Sequence, residues 1–350
     1  MSLPCGTRNY TYAEDMAILR TKTHWVLLIL FFLLLFTLPL YISKSWLGVA
    51  NVVGITLIAA LGLSILTGYC GQLSIGHAGF IAVGAFTSAV LTNTFELPFL
   101  VGLICSGFVA GFVGLVFGIP SVRVKGFYLA ISTIAAQFII LWVVNHWEMT
   151  GGSIGMKAPI PSIAGLVFNS DTSQFYLIMS VAVLCTFLTK NLARTRVGRA
   201  FIAIRDNDLA AEVMGINLFY YKLLAFFVGC FMAGIAGSLW AHFFGFINAE
   251  HFSLSESILY IAMLIIGGLG TTVGPIFGVV FIRVIERFLT WEVVPFLEAN
   301  ITFLPAGFAS GVTPMLFGLI IILFLVLEPR GLAHRWMLLK SAYRLWPFSY

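Results

Sequence analysis

Long apolar runs alternate with short polar connections along the whole chain. The runs are His24–Ile42, Gly48–Leu66, Ala78–Asn93, Pro98–Ile119, Phe127–Val144, Phe175–Thr189, Leu223–Phe246, Ser257–Gly268, Gly274–Thr290 and Thr313–Leu327. A helix needs about 20 apolar residues to cross a bilayer, and most of these runs approach that length. None shows the strict alternation of a half-buried strand. The pattern predicts an all-α, polytopic transmembrane bundle of about ten crossings, including short or broken helices.

One interruption differs from the others. Thr67-Gly68-Tyr69-Cys70-Gly71-Gln72-Leu73-Ser74-Ile75-Gly76-His77-Ala78-Gly79-Phe80 holds four glycines and no formal charge between two apolar runs. Glycine permits a break in a helix, and broken backbone at membrane depth is tolerated only inside protein or beside a wet cavity. Thr67, Tyr69, Gln72, Ser74 and His77 are therefore candidate pathway residues. Each has a plainer alternative: Gln72 and Ser74 as polar glue between helices, and His77 as a helix-start residue satisfied by backbone. Gly270-Thr271-Thr272-Val273-Gly274-Pro275-Ile276-Phe277-Gly278 faintly echoes Gly76–Gly84. Paired interruptions point to a transport site in repeat-built transporters, so Thr271 and Thr272 are expected to face the first break.

Composition agrees with a membrane protein: 60% of residues are hydrophobic and 9% charged, against about 25% charged in soluble domains. The net charge of +5 gives no reason to expect nucleic acid, because its sources are short loops. With the N-terminus inside, segments 1–23, 120–126, 190–222 and 328–350 carry 15 of the 19 Lys and Arg. Lys44 and Lys157 alone fall on the other side, and Arg283 and Arg287 lie in or at the end of a span. The positive-inside rule then puts both termini in the cytoplasm. The expected organisation is a cytoplasmic segment 1–23, a transmembrane region 24–327 and a basic cytoplasmic tail 328–350. No cleavable signal pattern is expected at the first run. The cysteines Cys5, Cys70, Cys105, Cys185 and Cys230 are scattered, three in apolar runs and Cys70 in the glycine-rich interruption, and read as buried small hydrophobes.

Residues 190–222 are charge-dense. Asp206 or Asn207 can cap a helix, Gly215 can stop it, and Leu209, Val213 and Ile216 share one face opposite Asp208 and Glu212. This predicts a short amphipathic helix on the cytoplasmic side, either lying on lipid headgroups or docking into a partner subunit. Arg283, Glu286 and Arg287 lie one turn apart and read as a locally paired, snorkelling cluster. A phosphate-cradling P-loop needs Gly-Lys-Ser/Thr, and the chain contains no Gly-Lys pair. Zinc-type H-x-x-x-H and redox C-x-x-C spacings are also missing. No enzyme, metal site or cofactor is expected in this chain, so a pump built on it would draw its energy from a partner.

Several segments together carry a family resemblance. T-G-Y-x-G-Q-L-S-x-G-H-A-x-F from Thr67 resembles a signature of permease subunits in branched-chain amino acid ABC importers. Lys125–Ile131, Thr150–Gly155, Arg196–Asn217, Tyr221–Phe226 and Gly267–Pro275 resemble further segments of that family in the same order. Ala210-Ala211-x-x-x-Gly215 resembles the E-A-A-x-x-x-G docking loop of bacterial ABC permeases, with Leu209 in the Glu position and the downstream I-x-L-P missing. The closest likeness is to the larger of the two paired permeases; the first and last twenty-odd residues are not covered.

The resemblance implies import of branched-chain or other hydrophobic amino acids across a bacterial inner membrane. It also implies a second homologous permease, two ATPases that use ATP and Mg, and an extracytoplasmic binding protein. Arg199, Arg205, Asp208, Ala210, Ala211, Glu212 and Gly215 would couple the chain to those ATPases. A urea or short-amide importer of the same build, and an ion-coupled transporter or channel, are the alternatives.

Overall fold

Every one of the ten apolar runs becomes helix in a computed structural model that describes residues 22–345, apart from 123, 125, 164, 294, 296–307 and 329. Cys5, the polar start of the chain, and the loop residues Arg123 and Lys125 lie outside the described residues. The helices are α1 (Lys22–Thr37), α2 (Lys44–Leu63), α3 (His77–Asn93), α4 (Phe99–Val122), α5 (Phe127–His146) and α6 (Asp171–Arg194). They continue as α7 (Arg196–Asp206), α8 (Asp208–Val213), α9 (Leu218–Phe244), α10 (Leu254–Gly267), α11 (Gly274–Phe288), α12 (Phe308–Leu327) and α13 (Leu332–Leu345).

Six helical segments among the described residues are long and apolar enough to cross a membrane. A seventh is added if Met315–Leu327 and Leu332–Tyr343, bent by 43°, form one span. The protein is a multi-pass membrane protein. The remaining runs are shorter helices: α3 has 17 residues and α11 has 15. Both directly follow a glycine-rich interruption.

By backbone contacts the chain divides after Leu47. Within the first unit, α1 is apolar all round, with Trp25, Leu30 and Leu34 exposed, as a helix immersed in lipid would be. The second unit, Gly48–Tyr350, is organised on α9, whose 27 residues span about 40 Å at 1.5 Å each. Lipid supplies no hydrophobic drive between helices, so close approach of small residues does the packing. On α9, Gly234 lies directly against the backbone of Gly84 from α3, and Gly229 against that of Gly62 from α2.

Polar side chains add to this packing at depth. Ser238 donates to Ser88 Oγ (2.7 Å). Ser88 in turn donates to His242 Nε2 (3.0 Å), and His242 Nδ1–H donates to the Pro159 carbonyl (2.7 Å). This relay fixes one end of α9 to the polar connection 145–170.

That connection carries three of the four short strands among the described residues, and the fourth follows α9; the sequence pattern did not anticipate them. β1 (Met156–Lys157) pairs antiparallel with β4 (Phe246–Ile247), and β2 (Ser162–Ile163) with β3 (Leu166–Val167). Its Gly151-Gly152-Ser153-Ile154-Gly155 run has the spacing of a nucleophile elbow but forms a single 3-10 turn over Gly152–Ile154, not a strand-to-helix junction.

Candidate solute pathway and coupling segment

The predicted break is present and begins one turn earlier than its glycines. α2 widens over Ser64–Tyr69 into a π turn, closed by Cys70 N–H donating to the Ile65 carbonyl (3.1 Å). Gln72 N–H then reaches back to the Leu66 carbonyl (3.0 Å). In a continuing α-helix it would have bonded the Gly68 carbonyl. The chain is irregular to Gly76, and α3 starts at His77.

The backbone freed by this break is satisfied by protein. Ile75 N–H donates to Thr133 Oγ1 (3.0 Å) on α5, and Ala78 N–H to Ser257 Oγ (2.9 Å) on α10. Ser257 donates to Gln137 Oε1 (2.8 Å), and Gln137 Nε2–H donates to the Phe252 carbonyl (2.9 Å). Thr133, Gln137 and Ser257 carry no motif, and only the fold brings them to the break.

The two interruptions meet. A methyl group at Gly68 would lie 2.9 Å from Gly270 N and 3.1 Å from Ser64 Oγ, so no other residue fits without a shift. Tyr69 and Thr272 lie near each other across the same junction. Thr271 caps α11, accepting from Gly274 N–H (3.0 Å).

The predicted pathway residues divide into two groups. Thr67, Thr271 and Thr272 are half-buried at the junction, and the Thr67 hydroxyl donates to the Gln72 carbonyl (3.1 Å). Tyr69, Gln72, Ser74 and His77 point inward and are buried. His77 Nε2–H donates to the Ala59 carbonyl of α2 (3.0 Å). Gln72 Oε1, Ser74 Oγ and His77 Nδ1 have no partner. Three unmet buried polar atoms within six residues are unusual, since such groups are normally paired.

The charged segment forms two helices, α7 and α8, rather than one. The capping reading holds: the Asn207 side chain accepts from Ala210 N–H (3.1 Å). So does the stop: Gly215 adopts φ +84° after α8. Leu209, Val213 and Met214 are 66%, 87% and 82% exposed, whereas Ala211 is 4% exposed. Of the small pair, only Ala210 offers its side chain outward; Ala211 belongs to the core of this chain. Arg199 and Glu212 are exposed, and Asp208 is half-buried, 3.8 Å from the buried Lys222 ammonium. Cys70, Gly71, Gln72, Arg205, Asp208 and Lys222 line a cavity of about 350 Å³ between this segment and the break.

The described residues thus place a protein-held helix break close to an exposed apolar face on α8. The model of the family described as branched-chain amino acid transport system / permease component matches residues 45–327. The chain belongs to this permease family. Two relatives, each named high-affinity branched-chain amino acid transport system permease protein LivM, come from Salmonella typhimurium and Escherichia coli. Each is 31% identical over 271 residues, covering 70% of this chain and 64% of the relative, so the match spans under two thirds of those proteins. An autoinducer 2 import system permease protein, LsrC, from Salmonella paratyphi B is 26% identical over 54% of each chain. No solved structure matches.

The permease also holds a charge network around Arg283. Arg283 on α11 is nearly buried and donates to Glu286 (2.7 Å) and to Thr56 Oγ1 on α2 (3.2 Å). Glu256 on α10 lies 3.6 Å away. The local pairing was legible from the spacing. The tie to α2 and α10 was not, because Thr56 is 227 residues distant.

Proposed function

We propose that this chain is one permease half of an ABC importer that carries branched-chain or other hydrophobic amino acids into the cytoplasm. The observation that carries the reading is the meeting of two uncharged, glycine-rich helix breaks at Gly68 and Gly270. Membrane transporters bind solute between broken helices, where free backbone dipoles can hold a carboxylate without any charged side chain. The names of the LivM relatives favour branched-chain amino acids as cargo.

In this reading a second homologous permease completes the pathway. Two ATPases dock on Ala210, Glu212 and the exposed apolar residues of α8, and a binding protein delivers cargo on the opposite face of a bacterial inner membrane. The autoinducer 2 relative motivates a second, polar class of cargo. Proteoliposomes holding the full transporter decide between them. The reading expects ATP-dependent uptake of labelled leucine that excess valine blocks and urea does not. Uptake that autoinducer 2 blocks, and valine leaves untouched, would move the protein to the other cargo class.

A further inference from the structure

The break leaves one carbonyl in need of a donor. Because Gln72 N–H turns back to Leu66, Gly68 O sits at the end of α2 without its helical partner. Carbonyls at a helix C-terminus carry partial negative charge and favour a cation. Arg205, at the end of α7, supplies it: Nη1–H donates to Gly68 O at 3.0 Å. The same guanidinium holds Asp206 Oδ1 through Nε (3.0 Å) and Nη2 (2.8 Å), so its plane is fixed from both sides.

Glycines shape the space around this side chain. A methyl at Gly71, whose φ is +72°, would lie 3.0 Å from Arg205 Cγ and 3.3 Å from its Cα. One at Gly270 would run into Arg205 Nη1. Both interruptions therefore rest on one arginine from the charged segment. Ion pairs with exposed partners contribute little to stability, and Arg205 and Asp206 are partly exposed. The arrangement is better suited to transmitting a displacement than to adding stability.

We propose that Arg205 is the positioning residue that links movement of the α7–α8 segment to the junction of the two breaks. When a docked partner shifts α8, Asn207 and Asp206 carry the shift to Arg205. The guanidinium then draws or releases the Gly68 carbonyl and the Gly270 turn. Lysine in its place would keep the charge but present one nitrogen, unable to hold Gly68 O and Asp206 in one plane. The inference rests on the pathway reading above.

The test uses the assembled transporter in proteoliposomes, with Arg205→Ala and Arg205→Lys, reading leucine uptake per ATP hydrolysed. Coupling between distant sites is commonly worth about 5–150-fold, and we expect the ratio to fall about tenfold in Arg205→Ala and less in Arg205→Lys. A second readout is the thiol reactivity of a cysteine at position 272. ATP should change it in the parental complex and leave it unchanged in Arg205→Ala. A ratio unaltered in both variants, with the ATP response at 272 intact, overturns the proposal. Should Arg205→Ala fail to assemble, Arg205→Lys alone decides by the same two readouts. Cargo protection of position 272 in the parental complex tests the pathway reading separately, so the two can fail independently.

Discussion

The Gln137–Ser257 network is the clearest place to perturb the break without touching its glycines. Ser257→Ala removes the acceptor of Ala78 N–H and the donor to Gln137 Oε1, both buried. An unmet buried group costs about 1–3 kcal/mol in soluble proteins. Between membrane helices the measured worth of such bonds is lower, averaging about 0.6 kcal/mol and reaching about 1.7. Two lost bonds then predict a destabilisation of about 1–3 kcal/mol. Gln137→Leu strands the Ser257 hydroxyl and the Phe252 carbonyl and should cost a similar amount. The two changes share one bond, so the double variant should lose about 1 kcal/mol less than the sum. Unfolding of the purified permease by SDS in mixed micelles, followed by far-UV circular dichroism, measures all three. Single variants that match the parent, or strict additivity, would show that the network does not hold α3 to α5 and α10.

Two other substitutions probe the docking segment and the buried charges. Gly215 has open space around it, so Gly215→Val is opposed only by its φ of +84°. The strain is roughly 1–2 kcal/mol, and Asn should be accepted far better. Pull-down of the ATPases should accordingly weaken with Val and persist with Asn; equal retention would remove the stop from the docking surface. Arg283→Met leaves Glu256 and Glu286 without their cation; their side chains are 35% and 40% exposed, so the cost should fall below the roughly 3–5 kcal/mol of a fully buried pair. Adding Glu256→Gln and Glu286→Gln should recover most of the lost folded protein, as read by size-exclusion after heating. A stable Arg283→Met single variant would contradict the burial argument.

Local features were legible and long-range ones were not. The glycine-rich break, the Asn207 cap and the Gly215 stop depend on residues adjacent in sequence; the cap and stop are where the pattern placed them, and the break starts one turn before its first glycine. The direction a side chain faces depends on neighbours far along the chain. Small size alone could not tell Ala211, in the core, from Ala210, on the surface. His77 is buried against Ala59 of α2 and Tyr260 of α10, and the apolar runs of those helices give no sign of it. The grip of Arg205 on Gly68 joins positions 137 residues apart, and a lone arginine in a basic loop carries no signature for it. The small strands escaped notice because two-residue pairs have no periodicity to read.

The most direct test of the pathway is the water access of the junction between the two breaks. Single cysteines at positions 67, 271 and 272 are introduced after replacing the native cysteines, and the assembled transporter is treated with a small water-soluble thiol reagent. Thr67, Thr271 and Thr272 are half-buried, and they should react at rates that leucine slows. Cysteines at 72, 74 and 77, buried in this chain, should react more slowly, and only if the pathway opens as far as their unmet polar atoms. Uniform inertness at all six positions with transport intact would mean that the glycines serve dry helix packing, and that solute crosses elsewhere.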